Sequence, residues 1–210
     1  MSILNESLAI KVGASAVSDA LKSEDGACTP EGGFSYVKGP TDVKLRYMTI
    51  PEMLRKTVSR FGPREAVVFS ETGERYSYYE FDREIDALAS GFLALGLEKG
   101  DRVGIWSPNR FEWVLTQFAT ARIGLVLVNI NPAYRLAEVE YALNKVGCKA
   151  LVLAKSFKTS DYLSLLRQLA PELDKCQPGR LISAKLPTLK SVILMAKDSG
   201  SGTFSFDQIK

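Results

Sequence analysis

The residues that could carry chemistry are few, and they fall near predicted strand ends. Asp101 and Arg102 form an adjacent acid–base pair at a helix-to-strand junction. Such a pair either serves an active site or is solvated and used in local capping, and the second is the commoner use of neighbouring charges. Asn129, Asn131 and Tyr134 place polar groups at the end of a strand, where α/β sheets hold ligands, yet Asn131-Pro132 is equally good turn chemistry. Trp106, Phe111 and Trp113 suit the wall of an acyl or aromatic pocket, with core packing as the ordinary alternative. Lys145, Lys149, Lys155 and Lys158 could meet an anion such as a phosphorylated carrier, or form a solvated basic rim. The run Ser199-Gly200-Ser201-Gly202-Thr203 superficially suits phosphate. It lacks a cation and a following helix N-terminus, so a plain surface loop is expected.

Exclusions are sharper. The chain has no histidine, which removes Ser-His and Cys-His nucleophile activation and imidazole metal ligation within its 210 residues. Cys28, Cys148 and Cys176 are an odd number at spacings unlike those of metal sites, so reduced, inert thiols are expected. The 27 basic and 24 acidic residues interleave for a formal net charge of +3, which does not suggest nucleic-acid binding. No strand candidate is followed by Gly-x-Gly-x-x-Gly, which weighs against a nicotinamide-linked α/β enzyme. No apolar stretch is long enough to cross a bilayer as a helix.

Elements must hold these residues in place, and the pattern for them is strong. Thr49 with Pro51 opens a helix whose apolar face is Met53, Leu54, Val58 and Phe61, ending at Gly62-Pro63. Ala66–Phe69 and Arg75–Ser77 read as a hairpin around Glu71–Glu74. Ser77 and Glu80 make a capping box, and Phe81, Ile85, Leu88, Phe92 and Leu95 then repeat at steps of four and three up to Gly96. Gly100–Asn109 joins that helix to a short buried strand, Val103–Trp106, and a turn that opens the next helix. Phe111–Ile123 is expected to bury Trp113, Val114, Phe118 and Ala121. The continuous apolar run Leu125–Ile130 reads as a strand covered on both faces. Helices at Glu138–Val146 and Asp161–Leu169 and strands at Ala150–Leu153 and Val192–Met195 complete the alternation. This is an α/β fold with helices layered on a largely parallel sheet. Residues 1–45 lack arginine and are turn-rich over Gly26–Gly33, and are expected to be a flexible arm preceding a domain portion at 46–210. Glu6, Asp19, Glu24 and Asp25 make that arm a poor mitochondrial presequence, and Leu8–Leu21 is weakly amphipathic.

Four stretches in order carry a resemblance: Arg75–Phe81, Gly96–Val103, Ser107–Asn109 and Val128–Tyr134. Together they resemble the N-terminal part of the adenylate-forming (AMP-binding) acyl-CoA synthetases over about residues 45–195. Gly33–Val37, Lys145–Val152 and Gln177-Pro178-Gly179 further resemble the medium-chain, mitochondrial ligases of that family. The resemblance implies a two-step ligase using a fatty acid, ATP with Mg2+, and coenzyme A. It also implies a Gly-x-Pro-Lys-Gly phosphate loop, an acidic ribose motif and a catalytic lysine, and none of these is found in this sequence. No catalytic, cofactor-binding or metal-binding residue is therefore carried onto any position. The expectation is a ligase fragment, inactive alone and poorly behaved through uncovered apolar faces. The alternative is an interaction or regulatory module that pairs through an exposed sheet edge, and the alternative location is cytoplasmic.

Overall fold

The computed structural model describes residues 42, 44–70 and 72–210. The expected arm at 1–45, Cys28 and the Gly33–Val37 stretch lie outside them or nearly so. Residues from Met48 onward form one compact unit.

Local chemistry starts the helices. Helix α1 (Ile50–Phe61) has a complete capping box, in which the Thr49 amide donates to Glu52 Oε2 at 2.7 Å and the Glu52 amide donates to Thr49 Oγ1 at 3.3 Å. Leu54 and Val58 are buried, whereas Met53 stays exposed and Phe61 half-buried. The hairpin of β1 (Glu65–Val68) and β2 (Arg75–Ser77) turns at Gly73, whose φ of +74° suits a residue without Cβ. Ser77 and Glu80 cap α2 (Tyr78–Ala94), which buries Phe81, Ile85, Leu88, Ala89 and Phe92.

Three βα steps and a following strand then build one sheet. The elements are β3 (Arg102–Trp106), α3 (Phe111–Ile123), β4 (Val126–Asn129), α4 (Leu136–Val146), β5 (Cys148–Leu153), α5 (Tyr162–Leu169) and β8 (Ser191–Leu194). A two-residue hairpin, β6 (Ser156–Phe157) with β7 (Ser160–Asp161), precedes α5, and β9 (Phe204–Ser205) closes the far edge. Strand order is β4-β3-β5-β8-β9 with every pair parallel. The inner strands are buried apart from Arg102 and Lys149 at their amino ends: Val103, Ile105, Ala150, Leu151, Val152, Val192 and Ile193 have no exposed surface. Parallel strands need such cover on both faces. Helices α1, α2 and α3 pack on one another, and α4 packs on α5.

Four expectations are corrected. On α3 the buried side is Leu115, Thr116, Ala119 and Thr120, while Trp113, Val114, Phe118 and Ala121 are only half-buried. The helix is flanked by α1, α2 and the β3–β4 strands, so none of its residues is exposed, and its tightest contacts use small side chains. Thr116 and Thr120 meet that burial by donating to the carbonyls of Glu112 (2.6 Å) and Thr116 (2.8 Å). Second, β4 is an edge strand with Val126 48% exposed, and is not a strand covered on both faces. Third, Val192–Met195 is not the last strand, because β9 follows it. The Ser199–Thr203 run also departs from a plain surface loop. Gly202 and Thr203 are buried, and a Cβ on Gly202 would lie 1.9 Å from the Leu173 carbonyl oxygen.

Candidate functional site

The carboxyl ends of β3 and β8 open into a cleft of about 800 Å³, where open α/β sheets place ligands. Three segments distant in sequence wall it: the β1–β2 hairpin with Phe69 and Tyr76, the β3–α3 connection with Asn109 and Phe111, and the chain after β8 with Met195. Phe206, Asp207 and Lys210 close the remaining side. Tyr76 and Phe111 stack with centroids 3.9 Å apart and planes 1° apart, and Phe69 meets Phe111 edge-on at 6.0 Å. This wall is apolar and held by aromatic contacts. Burial, followed by the charges of Glu74 and Glu84, pushes the Tyr76 phenol above its ordinary range, so it remains a neutral hydroxyl.

The charges around the cleft are largely spent on one another. Arg110 donates to Glu112 in two places, at 2.9 and 3.2 Å, and Lys210 pairs with Glu84 at 2.7 Å. Lys197 alone among the lining cations has no ion pair among the described residues. The cleft offers hydroxyls from Ser70 and Thr72, and Thr72 Oγ1 donates to Glu74 Oε2 at 2.8 Å. Among the described residues no group of three or more His, Cys, Asp or Glu could hold a metal ion. The arrangement can enclose and shape an apolar group.

Of the residues singled out from sequence, only Phe111 lines this cleft. Asp101 is 7% exposed, accepts from the Glu98 amide at 2.9 Å and pairs with Lys149 at 2.7 Å. Arg102 donates to the carbonyls of Val146 (2.6 Å) and Gly147 (3.0 Å), holding positive charge at the carboxyl end of α4. Both are structural. Trp106 is fully buried and stacked 4.2 Å from Tyr162, with its indole N–H unpartnered, while Trp113 packs against the core. Asn131 Oδ1 accepts from the Ala133 amide at 2.9 Å, so that side chain serves the turn, with Asn129 and Tyr134 exposed beside it. The four lysines do not converge, since Lys149 lies at the amino end of β5 and Lys155 beyond its carboxyl end. Sequence reasoning missed Phe69, Tyr76, Met195 and Phe206 as cleft residues. Their only local signal is an apolar or aromatic side chain at the end of a strand, which core residues share.

Residues 54–201 match the family described as AMP-binding enzyme. The chain belongs to that family. It is 49% identical over 164 residues to the medium-chain acyl-CoA ligase ACSF2, mitochondrial, of Rattus norvegicus, covering 78% of this chain and 27% of that protein. It is 37% identical over 164 residues to the putative acyl-CoA synthetase YngI of Bacillus subtilis, covering 78% of this chain and 30% of that one. The fold matches the crystal structure of a putative long-chain-fatty-acid CoA ligase from Rhodopseudomonas palustris with a TM-score of 0.63 at 24% identity, over 79% of this chain and 37% of that one. The chain thus spans 27% of the length of the rat ligase. The expected α/β architecture and the family resemblance both hold.

Proposed function

We propose that this chain supplies the N-terminal part, residues 46–210, of a medium-chain acyl-CoA ligase that works in mitochondria, with 1–45 as an arm. Identity of 49% over 164 residues with a named ligase carries this reading. In that reaction a fatty-acid carboxylate oxygen attacks the α-phosphorus of ATP, pyrophosphate leaves, and an acyl-adenylate forms. The thiol of coenzyme A then attacks the acyl carbonyl and AMP departs. Magnesium accompanies the nucleotide, and among the described residues no group of three or more His, Cys, Asp or Glu would hold it. The contribution of this chain is to position and to exclude water. The stacked Tyr76–Phe111 wall and Met195 present an apolar surface at the carboxyl end of the sheet. The phosphate-binding and proton-handling groups of the reaction belong to other segments, because this sequence has neither histidine nor a Gly-x-Pro-Lys-Gly run.

A chimera tests this directly. Residues 48–210 replace the matching segment of the rat ligase, and octanoyl-CoA formation is measured beside octanoate-dependent ATP–pyrophosphate exchange by the 210-residue chain alone. The expected result is an active chimera and an inactive isolated chain. A folded chimera without activity, or exchange by the isolated chain, overturns the proposal. The second reading, a non-catalytic module that pairs through its sheet edge, draws on the exposed β4. It predicts an inactive chimera together with a stable complex that an edge-blocking substitution abolishes.

A further inference from the structure

We infer that the outer face of α1 docks on the surface of an anionic lipid bilayer. The helix buries Leu54 and Val58, and on the opposite side Met53, Lys56 and Arg60 rise at steps of three and four. Arg55 lies on the flank and Arg64 just beyond the helix, all four cations being exposed. Between residues 50 and 64 there are four cations and one acid, Glu52, for a local net charge of +3. That equals the formal net charge of the whole chain.

Cations without an ion pair among the described residues occur elsewhere too, Lys175, Arg180, Lys185 and Lys197 among them, but those of α1 and its end are four within residues 50–64. Arg75, Arg110, Arg122, Lys149, Arg167 and Lys210 each sit in an ion pair. Arg55, Lys56, Arg60 and Arg64 have no ion pair among the described residues. Glu52 is drawn back into the capping box, where the Thr49 amide and hydroxyl hold its carboxyl below the usual range. Beside the cations stand apolar groups with no partner. Ile50 is 53% and Met53 40% exposed at the amino end of α1. At the other end Tyr79, 53% exposed, covers Gly62 and donates its amide to the Gly62 carbonyl at 3.0 Å. The Arg60 and Arg64 guanidinium groups flank Phe61 at 4.9 and 5.2 Å from its ring centroid.

Cations that reach headgroups beside aliphatic side chains that reach the acyl region are the makings of an interfacial surface. Ile50 and Met53 favour a bilayer over a nucleic acid, whose phosphates would meet the cations but whose backbone offers exposed aliphatic side chains no apolar region. The inference rests on the proposed function only for its purpose, which is to keep the protein where a fatty acid is dissolved. Binding is read without any ligase assay, so the two fail separately.

The test is co-sedimentation of the 210-residue chain with phosphatidylcholine vesicles containing or lacking phosphatidylglycerol. Binding is expected only to the anionic vesicles and is expected to fade as salt rises toward about 0.5 M. At about fivefold per cation, the variant R55Q/K56Q/R60Q should bind roughly 100-fold more weakly. The variant K175Q/R180Q/K185Q removes as many charges elsewhere and should bind as the parent does, with circular dichroism confirming that both are folded. Equal binding to neutral vesicles, or equal loss in both variants, overturns the inference. So does displacement by soluble polyglutamate at matched charge, which would make an acidic protein face the occupant.

Discussion

Asp101 shows how one buried carboxylate ties three segments together. Its burial raises the carboxyl, yet the Lys149 ammonium and the Glu98 amide together outweigh that, and its pKa lies below the ordinary aspartate value. A group depressed in the folded state stabilises above its unfolded value and loses that contribution as pH falls through the folded one. Asp101→Asn should therefore cost about 1–3 kcal/mol at pH 7, and the difference from the parent should shrink below about pH 4. Urea midpoints at pH 7 and pH 3 check this; a gap that persists undiminished in acid contradicts it. Cys148 has the opposite sign. Burial pushes its thiol up to about 11, so iodoacetamide at pH 8 should label it only after denaturant is added.

At the level of elements, Gly91 reverses a general rule. Alanine in a helix interior is ordinarily better than glycine by about 0.5–1 kcal/mol. In α2, however, a Cβ on Gly91 would fall 1.4 Å from the Ile209 carbonyl oxygen. Gly91→Ala should lower the melting temperature and raise hydrogen exchange in Phe204–Ile209, whereas Gly73→Ala, with nothing within 4 Å, should cost only the strain of its φ, about 1 kcal/mol. The capping box at Ser77 was legible in sequence because its partners lie three residues apart, and Thr49 with Pro51 marked the start of α1, although the reciprocal bond from Glu52 was not read. So were α2 and the inner strands, whose apolar periods match their burial. What failed was non-local. The buried face of α3 depends on neighbours from four other elements, and β9 is two residues recognisable only by pairing with β8. The cleft brings together Phe69, Phe111 and Met195 from segments that no local pattern connects.

Across the whole molecule, the sheet ends in the two-residue β9 on one side and in β4 on the other, where Val126 is 48% exposed and the strand Val126–Asn129 carries no charge to deter pairing. The isolated chain should associate and bind hydrophobic dye, and Val126→Lys should reduce both in light scattering while changing stability by less than about 0.5 kcal/mol. Unchanged association in that variant would place the sticky surface elsewhere. The strand order also has a bearing on how the polypeptide emerges from the ribosome. Strand β3 gains β4 soon after it is made but meets its other neighbour, β5, only once the chain from Trp106 to Cys148 has been synthesised. At roughly 5–20 residues per second that is about two to eight seconds during which the middle of the future sheet has a bare flank. A nascent-chain chaperone would have its best purchase in that interval, and a translational pause placed before Cys148 would lengthen it.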